Sequence, residues 1–259
     1  AFGDDFGFNV AFQLCDWFDP ESLRAALMEN VALDSSLEDR QAAFDVIVGM
    51  IDDFPTVTKA HCLQAKVLAS RLPVPQSIIG CLPYYYARWD GKLEPYEGEG
   101  IPLPSRTASI GEIAELFRRR SGRKAAVEEI ETRAGKHFDP HLCRTFLENA
   151  DTLFDEVENC SEFDAYVKIE PGEAIPVNME ICGRLGEVVA DMVDQKCIWF
   201  AGHSRRVAAL ASDAGRRAGM APEKVEILRH AALFHDLGKT TISNRIWNKE
   251  TELSQSERL

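Results

Sequence analysis

"HSRRVAALASDAGRRAGMAPEKVEILRHAALFHDLGK", residues 203–239, decides how this chain is read. Within it His203, Val207, Leu210, Ala214 and Ala218 recur three or four residues apart, so the spacing predicts a helix whose inward stripe is headed by a histidine. A second helix is announced by Pro222 at a first helical position and by Glu223 at the positive end of the dipole, and Gly238 closes it. Val225, Leu228, Ala232 and His235 fall on one side of that helix, and Asp236 follows roughly a third of a revolution later. A lone inward histidine usually ends as a hydrogen-bonded core residue, and a His-Asp pair can simply close a helix. Two inward imidazoles with an adjacent carboxylate, followed by Gly238-Lys239, describe instead a divalent-metal site beside a cation for phosphate.

The rest of the chain limits the alternatives. Its 259 residues, 45% hydrophobic, allow one large or two modest domains. No apolar run approaches the roughly 18 residues of a membrane span, so no membrane partner is expected. The start, "AFGDDFGFNV", has two acids where a signal peptide would carry bases, which predicts a cytoplasmic location. Seven cysteines without a C-x-x-C pair read as thiols in a reducing compartment rather than as structural zinc ligands. A net charge of −13 argues against direct nucleic-acid binding. Yet residues 196–249 hold ten basic and four acidic side chains, a basic island that is either a solvated helix face or a receiver for an anion such as a phosphate ester.

The fold class read from this pattern is all-α. Asp19-Pro20-Glu21 starts a helix carrying Leu23, Leu27 and Val31, and Ser36 with Asp39 opens another whose stripe is Phe44, Ile47, Met50 or Ile51, and Phe54. A third, from about Thr58, is predicted to bury His61, Ala65, Leu68 and Leu72. Residues 83–104 are loop-rich, Pro104-Ser105 begins a helix toward Arg120, and Ala125 and Ala126 sit in a shorter one. The acidic stretch from about Glu148 to Asn178, with "EPGEAIP", reads as a linker; beyond it Ile181, Leu185, Val188 or Val189 and Met192 mark one helix face. His137 and His141 read as surface or capping residues, His230 as structural, and the Phe and Trp residues as core rather than as stacking platforms.

Residues 201–257 resemble the first half of an HD-GYP domain, a subgroup of the HD metal-dependent phosphohydrolases that cleave cyclic dinucleotides such as cyclic di-GMP. The resemblance implies metal ligation by His203, His235 and Asp236, with Asp236 and Lys239 in the catalytic machinery and Lys239 and Arg206 facing the substrate phosphate. It implies iron, manganese or zinc as the cofactor, and a cyclic dinucleotide or other phosphoester as the partner. Residues 61–117, with "AGKHFDPHLCRTFL" at 134–147, resemble the second half of the same domain. His61 matches a ligand there, but Tyr85 and Tyr86 replace a His-His pair and Glu112 replaces a ligand Asp, so that half is degenerate in metal binding. His61 and Glu112 remain additional ligands to test should the halves close on each other.

The resulting organisation is an HD-domain-like helical bundle of two partial modules: 1–150 a degenerate back half, 151–178 a linker, and 179–259 the front half of a second module. A capping box at Ser254–Glu257, with only Arg258 and Leu259 after it, reads as a fragment of a longer tandem parent. Similar tandem proteins of actinobacteria often end in a LuxR-type helix-turn-helix, which extends the resemblance to a transcriptional regulator. Two rivals to a phosphodiesterase stay open: a non-catalytic nucleotide-sensing module controlling an attached output domain, and a helical domain that only forms a homodimer through its apolar stripes.

Overall fold

A computed structural model describes residues 13–30, 36–49, 53–93, 95–161, 163, 167–168, 175–247 and 249–258. These residues form helices and turns, with one isolated β-bridge between Ala134 and Phe138. The helices in chain order are α1 (Pro20–Asn30), α2 (Leu37–Gly49), α3 (Phe54–Ala69), α4 (Gln76–Cys81), α5 (Leu103–Ser121), α6 (Arg123–Arg133) and α7 (Pro140–Asn159). After them come α8 (Met179–Asp194), α9 (His203–Arg217), α10 (Pro222–Phe234) and the single turn α11 (Asn244–Trp247). The all-α expectation holds.

Local chemistry sets the ends. Asp139 caps α7 by accepting from the backbone N–H groups of His141 and Leu142, with Pro140 at the first position. Asn178 caps α8 through Ile181 N–H. The turn from α9 to α10 is a Schellman motif: Gly219 takes a left-handed φ of 72°, and Met220 N–H returns to the Gly215 carbonyl. The two helices that carry the candidate ligands are therefore one tight hairpin.

Among the described residues two hydrophobic centres stand out. In the first half Ile110, Ile113, Ala114, Ile130, Phe138 and Cys143 pack together, and Ala126, Ala150 and Phe154 form a neighbouring cluster that shares Phe117 and Phe146. In the second half α8, α9 and α10 meet at Ala190, Ala208, Ala232 and Leu233. An ion pair from Arg71, just past α3, to Asp191 of α8 reaches from the first half to the second.

Several faces differ from the sequence reading. On α9 the buried positions are Ser204, Ala208, Ser212 and Gly215, one residue out of phase with the expected stripe, and Leu210 is 71% exposed. The cause is close helix approach, which selects for small side chains: a methyl group on Gly215 would meet Leu228 and Met220. The same happens on α8, where Gly183, Gly186, Val188, Ala190 and Val193 are inside while Leu185 and Met192 face out. Among the described side chains of α3 the buried ones are Thr58 and Cys62; His61 is exposed. The boundary expected at 150/151 falls inside α7, which continues to Asn159, so the first part of the expected linker is helical. Leu23, Leu27, Ile47, Val225 and Ala232 are buried as read, while Val31, Met50 and Ile51 lie outside the described residues.

Candidate metal centre

His203 is the first residue of α9, His235 caps the C-terminal end of α10, and Asp236 precedes a 3-10 turn, Leu237–Thr241, that contains Lys239. The sharp break after Phe234 turns Asp236 back toward α9. One carboxylate oxygen becomes the point of convergence: Asp236 Oδ2 lies 3.0 Å from His235 Nε2, 3.5 Å from His203 Nε2 and 2.5 Å from Lys239 Nζ. The two imidazole centroids are 5.5 Å apart. One donor atom from each of His203, His235 and Asp236 lies within 4.8 Å of the others, the one such group of three or more among the described residues.

The donor set fits a divalent cation. His235 Nδ1 donates to the Ala232 carbonyl at 2.7 Å, which leaves the lone pair on Nε2, the nitrogen that faces Asp236. Ligands about 2.1 Å from one ion stand about 3.4 Å apart in a tetrahedron and at most about 4.2 Å apart, so donors within 4.8 Å of one another close on an ion by moving on the order of 1 Å. The side chains are 34%, 35% and 16% exposed for His203, His235 and Asp236, open enough for an ion and a substrate to reach them.

An aromatic wall flanks the donors. Phe200 lies edge-on to both His203 and Trp247, at 5.4 Å between centroids in each case. Lys239 Nζ sits 3.7 Å from the Phe200 ring centre, so its charge rests on an aromatic face as well as on the carboxylate. Trp199 is 86% exposed, contrary to the reading of the aromatic residues as core. Arg206, expected near the phosphate, is exposed and donates from Nη1 to the Ala201 carbonyl.

His61 and Glu112 do not join this group. Glu112 accepts hydrogen bonds from the Tyr85 hydroxyl at 2.7 Å and from Gln13, while His61 stands edge-on to Tyr86. Burial, and then the Glu112 carboxylate, push the Tyr85 phenol well above its usual range, so it is a firmly neutral donor. His137 is also not a surface or capping residue. Its Nδ1 is buried without a hydrogen-bond partner, and burial together with Arg88 and Arg133 lowers its pKa to about 3. His230 is structural, as read: it is buried and contacts Arg229 and Glu226.

The sequence reading missed the residues behind His203. Asp194, at the end of α8, accepts from Ser204 N–H at 2.9 Å and from the Ser204 hydroxyl at 2.7 Å. Asp191, one turn earlier, takes both Nε and Nη2 of Arg205. The Arg205 guanidinium, followed in weight by Arg71, holds the Asp191 carboxyl below the usual carboxylate range.

Residues 200–258 match the model of the HD domain family, and this part of the chain is an HD domain. Over 241 residues the chain is 26% identical to 3'3'-cGAMP-specific phosphodiesterase 3 of Vibrio cholerae, covering 89% of this chain and 52% of that protein. It is 23% identical over 226 residues to 3'3'-cGAMP-specific phosphodiesterase 1 of the same organism, covering 79% of this chain and 51% of that one. The chain thus spans about half the length of the curated relatives it matches. A crystal structure of cyclic GMP-AMP-specific phosphodiesterases from V. cholerae superposes with a TM-score of 0.64 at 22% identity, covering 97% of this chain and 63% of that chain, which establishes a shared fold.

Proposed function

We propose that this chain belongs to a metal-dependent phosphodiesterase of HD-GYP type that opens a cyclic dinucleotide. The observation that carries the reading is the convergence of His203 Nε2, His235 Nε2 and Asp236 Oδ2 in the HD domain. The names of the relatives support a cyclic dinucleotide as the substrate class, with 3'3'-cGAMP and cyclic di-GMP the first to test. A divalent iron, manganese or zinc ion held by these donors would supply Lewis acidity and a water of lowered pKa.

The chain's own residues do the rest. The Ala232 carbonyl fixes the His235 tautomer, and Asp236 contributes the anionic donor. Lys239 lies close enough to swing from the carboxylate to a phosphate oxygen and offset the charge that grows there during in-line displacement. Phe200 and Trp247, packed edge to face, form an apolar wall on one side of the centre. Within this proposal residues 179–259 form the active module and the first half is degenerate.

The first half supports a second, regulatory role. Its ligand-like Glu112 is already engaged by the Tyr85 hydroxyl, an arrangement suited to sensing or scaffolding rather than to metal chemistry. The test is metal analysis of the purified chain, followed by hydrolysis of 3'3'-cGAMP and of bis(p-nitrophenyl) phosphate by wild type and Asp236→Ala. The variant should lose metal and on the order of 100-fold or more in rate. Equal rates, or a wild-type protein that binds no metal, would reduce the HD domain to a sensor.

A further inference from the structure

Helix α9 begins in an unusual way. Its N-cap position is Gly202, held in a left-handed conformation with φ of 69°, which a side-chain-bearing residue adopts only under strain. Glycine has no oxygen with which to cap the first turn, and no side chain of α9 does so. The missing oxygen comes from another helix. Asp194 Oδ2 accepts from the backbone N–H of Ser204, the second helical residue and a usual target of an N-cap side chain, and Asp194 Oδ1 accepts from the Ser204 hydroxyl. Both residues are buried, Asp194 at 4% exposure and Ser204 at 0%.

Two bonds to two different oxygens stop the carboxylate from rotating and place a negative charge at the positive end of α9. The residue immediately before Ser204 is His203. Its backbone is therefore fixed between the Gly202 turn and the pinned Ser204, and its ring is bounded by Phe200. Asp191 reinforces the arrangement from one turn earlier on α8 by gripping Arg205.

We propose that Asp194 is the positioning residue for the metal ligand His203, acting through Ser204 as a cap delivered from the neighbouring helix. The inference rests on the metal-centre reading above and adds to it a residue that touches neither ion nor substrate. The pinned first turn holds His203 Nε2 3.5 Å from Asp236 Oδ2, and loosening it lets the ligand drift without disturbing His235 or Asp236.

The test is calorimetric titration of the full chain with Mn²⁺, well below the unfolding midpoint of each variant. Asp194→Asn keeps the shape but loses the charge and one acceptor; Ser204→Ala keeps the backbone bond and loses the hydroxyl. Asp194→Asn should weaken Mn²⁺ binding on the order of 10- to 100-fold, with Ser204→Ala between it and wild type. Val225→Ala removes buried volume from α10 far from the pin and should cost stability while leaving Mn²⁺ affinity at the wild-type value. Wild-type affinity in Asp194→Asn, or an equal loss of affinity in Val225→Ala, overturns the positioning role. His203→Ala separates the two claims: if it binds Mn²⁺ as wild type does, the metal-centre reading itself is wrong.

Discussion

Lys239 occupies the carboxylate oxygen that an arriving ion would want. Its ammonium is on Asp236 Oδ2 and against the face of Phe200, so a cation at this site competes with it. Lys239→Met should raise Mn²⁺ affinity several-fold while lowering phosphodiester hydrolysis on the order of 100- to 1000-fold, because the group proposed to offset transition-state charge is gone. Titration and kinetics on the same preparation check both halves of this statement, and a parallel fall in affinity would show the lysine to be structural. At this scale the sequence was informative for His203, His235, Asp236 and Lys239, since each sits on a helix end whose boundaries its neighbours announce. Asp194 was not legible: it caps a helix to which it does not belong, and only tertiary structure brings residues 194 and 204 together.

The helices were legible as elements, and less so as faces. A hydrophobic stripe counts side-chain volume, whereas α8, α9 and α10 approach closely by presenting little of it. Gly186 stands where any added methyl would press on Leu233 and Phe234, and Ser212 buries its hydroxyl by donating to the Ala208 carbonyl of its own helix. Serine and glycine therefore form the interior of α9 although both score as polar or neutral. Ala208→Leu should destabilise the protein by about 1–3 kcal/mol through overpacking. Leu210→Ala, at a position the periodicity marked as core, should change stability by less than about 0.5 kcal/mol. Urea denaturation of the pair decides between the two phases, and a large loss from Leu210→Ala would restore the original stripe.

For the molecule as a whole, acid should remove stability in two stages. His137 has a folded pKa of about 3 against an ordinary value of 6.5, so its neutral form is favoured by the fold. The stabilisation is full above pH 6.5 and is lost as pH falls toward 3; at pH 5 the loss is about 2 kcal/mol. Carboxylates held low by arginines, Asp191 by Arg205 and Glu115 by Arg118, contribute stability above the ordinary carboxylate range and lose it only as pH falls below about 4. His137→Gln should abolish the first stage and keep the second, as read from urea midpoints at pH 7.5, 5 and 4. Neither stage was legible in the sequence, because a histidine in "AGKHFDPH" shows nothing of the arginines folded around it from residues 88 and 133. What the sequence did carry at this scale was the helical hairpin itself, closed by the four-residue turn 218–221 around Gly219. All three donors arise within residues 203–236, on one hairpin closed by its own chain. The candidate metal cradle is thus a local cassette, able to assemble early in folding and to stay intact while distant segments diverge.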